Sequence, residues 1–198
     1  MSMLKFEETR LLREITQLPV PARVAFGAAC AERLLPSYER FWRKTGEGDF
    51  AALSKMLCSL WDDLSGNTMS GKEIKNRIDA SMQLIPEGGG DPWRDEQAAA
   101  EDAAAAVVYA LRCRLDGQGL EAVWAARRAY EALDSYVTTL EDIDTNVPGE
   151  EERVLSSDLI QSELIRQERD LNQLQQGSIT LEELRQRAIA EGRSFLPG

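Results

Sequence analysis

Histidine is absent from all 198 residues, and this removes more chemistry than any residue present supplies. Ser-His-Asp and Cys-His nucleophile systems need an imidazole to carry the proton, and histidine is the commonest metal ligand. Acid–base work without it falls to a carboxylate or lysine moved by burial from its ordinary pKa. Cysteine is nearly as scarce. Cys30, Cys58 and Cys113 make an odd total with no C-x-x-C pair, so neither a disulfide framework nor a zinc site is indicated. Each falls on or beside an apolar helix face, where a thiol packs as a small hydrophobe. No apolar run approaches the roughly 18 residues that a membrane helix needs. The opening MSMLKFEETR lacks the basic, apolar and small-residue order of a signal peptide. These absences predict a cytoplasmic protein with no membrane association, no metal and no bound cofactor.

Charge and helical periodicity are what the chain has in quantity. Its net charge is −11, unevenly spread: residues 1–46 hold eight Lys or Arg against five Asp or Glu, and residues 47–198 hold fifteen against twenty-nine. Such a surface repels nucleic-acid backbones, which are bound by Lys and Arg displacing counterions, and it favours encounter with basic partners. Hydrophobic residues make up 43%, ordinary for a folded domain. They recur at helical spacing nearly everywhere, with no convincing strand alternation, which predicts an all-α protein. No repeat of about 20–50 residues is visible, so a solenoid is disfavoured. The expected architecture is one compact domain over residues 1–198, a bundle of about seven or eight helices, with a C-terminal hairpin over 177–198 that could be appended.

The octet GNTMSGKE, residues 66–73, differs by one letter from the phosphate-binding pattern G-x-x-x-x-G-K-[ST]. That loop must follow a buried strand and end in a hydroxyl for magnesium. Here Glu73 replaces the hydroxyl, and the preceding FAALSKMLCSLWDDL is helical in period. Ser70 and Glu73 instead form S-x-x-E, a capping box at a helix start. Thr180 and Glu183 form a second one, and Asp49 is placed to cap a helix beginning at Phe50. Further helices are expected over about 5–16, from Pro21 with a kink or break at Pro36, over about 71–84, 95–115 and 120–143, and through Ile160, Leu164, Leu171 and Leu174. The stretch PEGGGDPW, residues 86–93, is the most linker-like. AAAEDAAAAVVYAL is rich enough in alanine for neighbouring helices to approach closely, which predicts a central position.

The passage RVAFGAACAERLLPSYERFWRKTGEGD at 23–49, together with Trp61 and QSELIRQERDL at 161–171, resembles the YjaG family of small helical bacterial proteins. The likeness spans about Leu18 to Leu174. Its specific parts are Arg33, Pro36, Tyr38 and Phe41, the turn of Thr45, Gly46, Gly48 and Asp49, the pair Gln161 and Glu163, and Asp102. The resemblance implies an all-helical fold, a bacterial origin and no established reaction.

Candidate binding residues are therefore Arg33, Tyr38, Trp42, Asp49, Trp61, Asp102, Gln161 and Glu163, with no catalytic residue assigned. Asp102, with Ala98, Ala105, Ala106 and Tyr109 at helical spacing, is expected to be buried, either as a structural ion pair with an arginine such as Arg33 or Arg23 or as a ligand-binding acid. Tyr38, Phe41 and Trp42 interleave with basic residues, a mixture that serves interfaces and cores as well as nucleic acid. The expected function is non-enzymatic protein binding, with a basic partner; one form is an immunity-like protein whose acidic surface neutralises a basic toxin. The alternative is a magnesium- or manganese-dependent hydrolase acting on nucleotides through helix carboxylates. Glu131 and Asp134 supply one half of the E-x-x-E and E-x-x-D pattern of MazG-type pyrophosphohydrolases, but no first half lies upstream. A homodimer through the alanine-rich or tryptophan-bearing helices is compatible with either.

Overall fold

In the computed structural model, residues 3–86 and 94–196 are described, with Arg94 and Asp95 as backbone only. Within them the chain forms nine helices and no strand: α1 Glu8–Thr16, α2 Val20–Thr45, α3 Phe50–Leu64, α4 Gly71–Met82, α5 Arg94–Asp116, α6 Gly119–Leu140, α7 Glu150–Leu155, α8 Asp158–Gln176 and α9 Leu181–Gly192. Most of the PEGGGDPW stretch lies outside the described residues. The short α7 was not expected; it occupies the charged turn that the sequence places between α6 and α8.

Local chemistry sets the helix ends. Ser70 and Glu73 form a reciprocal capping box at α4, as do Thr180 and Glu183 at α9. Asp49 accepts the Ala52 amide at 2.9 Å and caps α3. Gly46 closes α2 at φ 74°, a left-handed conformation that glycine reaches without the Cβ penalty. The octet at 66–73 is therefore a helix-to-helix turn, and its backbone is already engaged: the buried Asp63 carboxylate accepts the Met69 amide at 2.6 Å.

The helix α2 forms the centre with α5, and it also packs on α3, α6, α8 and α9. Alanine makes the close approach possible: Ala100, Ala103, Ala104, Ala106 and Ala110 of α5 are fully buried, as expected of the alanine-rich segment. Leu34, Leu53, Leu57, Leu60 and Trp61 fill the space between α2 and the outer helices, where truncating any one leucine costs roughly 2–5 kcal/mol. Arg23 satisfies three helix-end carbonyls, Thr16 O, Leu18 O and Gly117 O, at 2.7–2.8 Å. It joins the ends of α1 and α5 and takes no part in pairing Asp102.

No break occurs at Pro36; α2 runs through it. Lacking an N–H, Pro36 leaves the Glu32 carbonyl without its usual partner four residues on. Gly192 of α9 meets the same place: a Cβ there would lie 3.0 Å from Glu32 O and 3.2 Å from Arg33 O. The proline and the glycine together let α9 lie against α2.

Candidate functional site

The helix α8 presents Glu163, Gln167 and Asp170 inward at spacings of four and three, among Ile160, Leu164 and Leu171. They meet Arg33 of α2, whose side chain has no exposure. Its guanidinium donates to Glu163 Oε1 from Nη2 at 2.9 Å and Nε at 3.2 Å, and to Asp170 Oδ2 from Nη1 at 2.8 Å. Gln167 donates to Glu163 Oε1 at 2.9 Å and to Ala126 O at 3.1 Å. Arg169 and Arg187 reach Asp170 from outside at 2.8 and 2.9 Å, and Arg169 also binds Glu191 at 2.8 Å. Burial opposes the Arg33 charge, but the neighbouring Glu163 and Asp170 outweigh it and hold its pKa above the ordinary range. With every guanidinium nitrogen of Arg33 engaged, this network ties α2, α8 and α9 together. Cys30, packed against it, has its thiol pKa pushed up by burial.

Beside this network, a cavity of about 300 Å³ opens between α2, α3 and α9. Glu32, Leu35, Phe50, Cys58, Arg185 and Ile189 are among its walls. The Glu32 side chain is only 8% exposed, and Arg185 stands 3.9 Å away at Nε. Burial pushes the Glu32 carboxyl up to about 7, with Arg185 and the Trp61 indole pulling downward. The indole N–H is buried without a well-formed hydrogen bond, and so is Arg185 Nε. Arg185 Nη2 meets Cys58 Sγ at 2.9 Å. Cys58 is the one partly exposed cysteine of the three.

Of the residues singled out in the sequence, Arg33 and Glu163 come together directly, and Trp61 faces the cavity's acid. Tyr38 also meets the Asp49 backbone, and the remaining candidates stand apart. Asp102 pairs with Arg128 of α6 at 3.1 Å, not with Arg33 or Arg23; Arg33 is occupied by α8, and α6 is the neighbour that the α5 face meets. Burial raises the Asp102 carboxyl to about 6, against the pull of Arg128. Tyr38 donates to Leu84 O at 2.8 Å and accepts the Asp49 amide at 3.3 Å. Gln161 clamps the backbone of Leu4 in both directions, at 2.9 and 3.0 Å, and donates to Leu155 O at 2.8 Å. Trp42, 39% exposed, stacks on Phe50 with centroids 6.2 Å apart, while Tyr38 and Phe41 are buried.

Asp170, Gln167 and Glu191 escaped the sequence analysis. Polar residues at 163, 167 and 170 on an otherwise apolar stripe were the available signal. Glu32 and Arg185 had none, since acid and base lie on separate helices far apart in sequence. Glu131 is held by Arg127 at 2.7 Å and Arg128 at 3.0 Å. Among the described residues, no three Asp, Glu or Cys side chains converge in a way that could hold a metal ion, so the hydrolase alternative finds no ligand set there. No helix among them is long and apolar enough to cross a membrane.

Fold and network together define an all-helical protein stapled internally by a sealed arginine–carboxylate cluster. The chain belongs to the DUF416 family, described as a protein of unknown function, whose model matches residues 10–196. Its structure is similar to the crystal structure of a DUF416 family protein from Shewanella baltica OS155, with 21% identity, a TM-score of 0.78, and coverage of 90% of this chain and 93% of that one. That likeness is one of fold. No curated protein matches the chain.

Proposed function

We propose that the chain is a cytoplasmic protein-binding module whose partner is a basic protein, in one form a toxin whose cationic nucleic-acid groove it covers. The observation that supports this most is the acidic end of the bundle. Residues 141–158 carry seven Asp or Glu against Arg153 alone, nearly all exposed. Leu140 is 66% and Val147 47% exposed within the same region. Exposed apolar anchors ringed by charge suit a recognition surface, with the charge steering encounter and the apolar groups holding the contact.

Affinity capture with chemical crosslinking tests it, comparing the wild type with the triple charge reversal of Glu150, Glu151 and Glu152 to lysine. The expected result is a basic protein crosslinked to residues 140–158, released by high salt and lost in the reversal. A neutral or acidic partner, held independently of salt and of the reversal, would overturn the reading.

A further inference from the structure

We propose that the cavity between α2, α3 and α9 is a binding site for a small zwitterion with an apolar body, of the kind formed by a free aliphatic or aromatic amino acid. Its ammonium group would rest on Glu32 and its carboxylate on Arg185 and Arg193. The site is independent of the acidic end of the molecule.

Three features of the cavity carry this. The first is an enclosed acid whose close cation stands off, with the Trp61 indole as its neutral donor neighbour. Glu32 is enclosed to within 8% of its side-chain surface, yet Arg185 Nε approaches only to 3.9 Å. A buried carboxylate without a close charged partner is costly to ionise. An ammonium group supplies both the opposite charge and as many as three donors. The second feature is basic: Arg185 and Arg193 both line the cavity. Arg185 spends one nitrogen on the weak acceptor Cys58 Sγ and leaves Nε without a hydrogen bond. A carboxylate reaching its guanidinium would replace a poor acceptor with a charged one. The third is the apolar lining of Leu35, Phe50 and Ile189 in the same cavity, which would receive an apolar side chain. A volume of about 300 Å³ lies at the small end of ligand pockets and is ample for an amino acid.

The charge on Glu32 makes the binding pH-dependent. Arg185 and the Trp61 indole act on it, and Arg193 from the α9 side, Cys58 from α3 and Glu39 from its own helix line the same cavity. An ammonium ligand stabilises the ionised carboxylate, so binding near neutrality releases a proton. With the carboxyl near pH 7, affinity should fall about tenfold from pH 8 to pH 6.

Titration calorimetry of the whole chain provides the test, with L-leucine and L-phenylalanine as probes beside 3-methylbutylamine, which lacks the carboxylate, and 4-methylpentanoate, which lacks the ammonium. At least one amino acid should bind more tightly than the amine, the carboxylic acid should not bind, and buffers of different ionisation enthalpy should reveal proton release. Glu32→Gln should abolish binding, and so should Ser54→Phe, which fills the cavity while leaving Glu32 in place; both variants are first checked for an intact helical melt. Failure of both amino acids at millimolar concentration overturns the proposal. It is equally overturned by equal binding of amine and amino acid, or by unchanged binding in Glu32→Gln.

Discussion

Arg33 and Asp170, 137 positions apart in the chain, meet at 2.8 Å with side-chain exposures of 0% and 1%. A guanidinium this deep is stable only because Glu163 and Asp170 face it and its hydrogen bonds are satisfied. Replacing Arg33 with Met would leave two buried carboxylates facing each other. Loss of about 3–5 kcal/mol in urea unfolding is expected, the range for removing one partner of a buried ion pair. A loss below about 1 kcal/mol, comparable with an exposed pair, would mean that the cluster is hydrated.

Glu32 should make stability fall as pH rises. Its folded carboxyl, at about 7, binds a proton more tightly than the unfolded group at 4.5. Its favourable contribution is complete below pH 4.5 and is lost between there and about 7. Over that window the wild type should lose on the order of 3 kcal/mol relative to Glu32→Gln. Asp102, raised to about 6 from 3.8, acts in the same direction at lower pH, so Asp102→Asn should flatten the acidic part of the curve. Parallel pH profiles for wild type and Glu32→Gln would show that the carboxyl titrates normally.

The octet at 66–73 separates local from functional chemistry. Ser70→Ala removes the hydroxyl that accepts the Glu73 amide and should cost about 1 kcal/mol. Lys72→Ala, at an exposed position, should change stability by less than about 0.5 kcal/mol. Nucleotide titration of both variants and the wild type by fluorescence should give no saturable signal; a signal lost with Lys72 would restore the phosphate-loop reading.

Gly48 sits at φ 77°, and a Cβ there would lie 2.3 Å from the Tyr38 hydroxyl. Gly48→Ala therefore combines backbone strain with a clash against the group that ties α2 to Leu84 and Asp49. Thermal unfolding should show a clear loss for Gly48→Ala. Gly46→Ala, where nothing lies within 4 Å, should lose less, since only the left-handed conformation is strained.

The two capping boxes and the Asp49 cap were legible in sequence because the hydrogen bonds that make them close within four residues. Arg33 and Glu163 were both named as candidate residues, but their pairing was not read; Glu163 was grouped with Gln161 and Arg33 was offered to Asp102. Asp102 was correctly read as buried but given the wrong cation. Both Arg33 and Arg23 lie on α2, the helix most extensively packed on α5, and nothing in their spacing shows that α8 and the helix-end carbonyls have claimed them. The cavity was invisible for the same reason: Glu32 and Arg185 are separated by most of the chain, and each alone looks like an ordinary surface charge.

Composition and periodicity alone determined that this molecule is helical, strongly acidic and without imidazole chemistry, since propensity, capping and net charge depend on near neighbours or on simple sums. Tertiary structure decided which acid meets which arginine, why Pro36 can continue a helix, and where a charged pocket stays incompletely satisfied. Those outcomes depend on how closely α8 and α9 approach α2, and the approach is set by side chains more than a hundred residues apart.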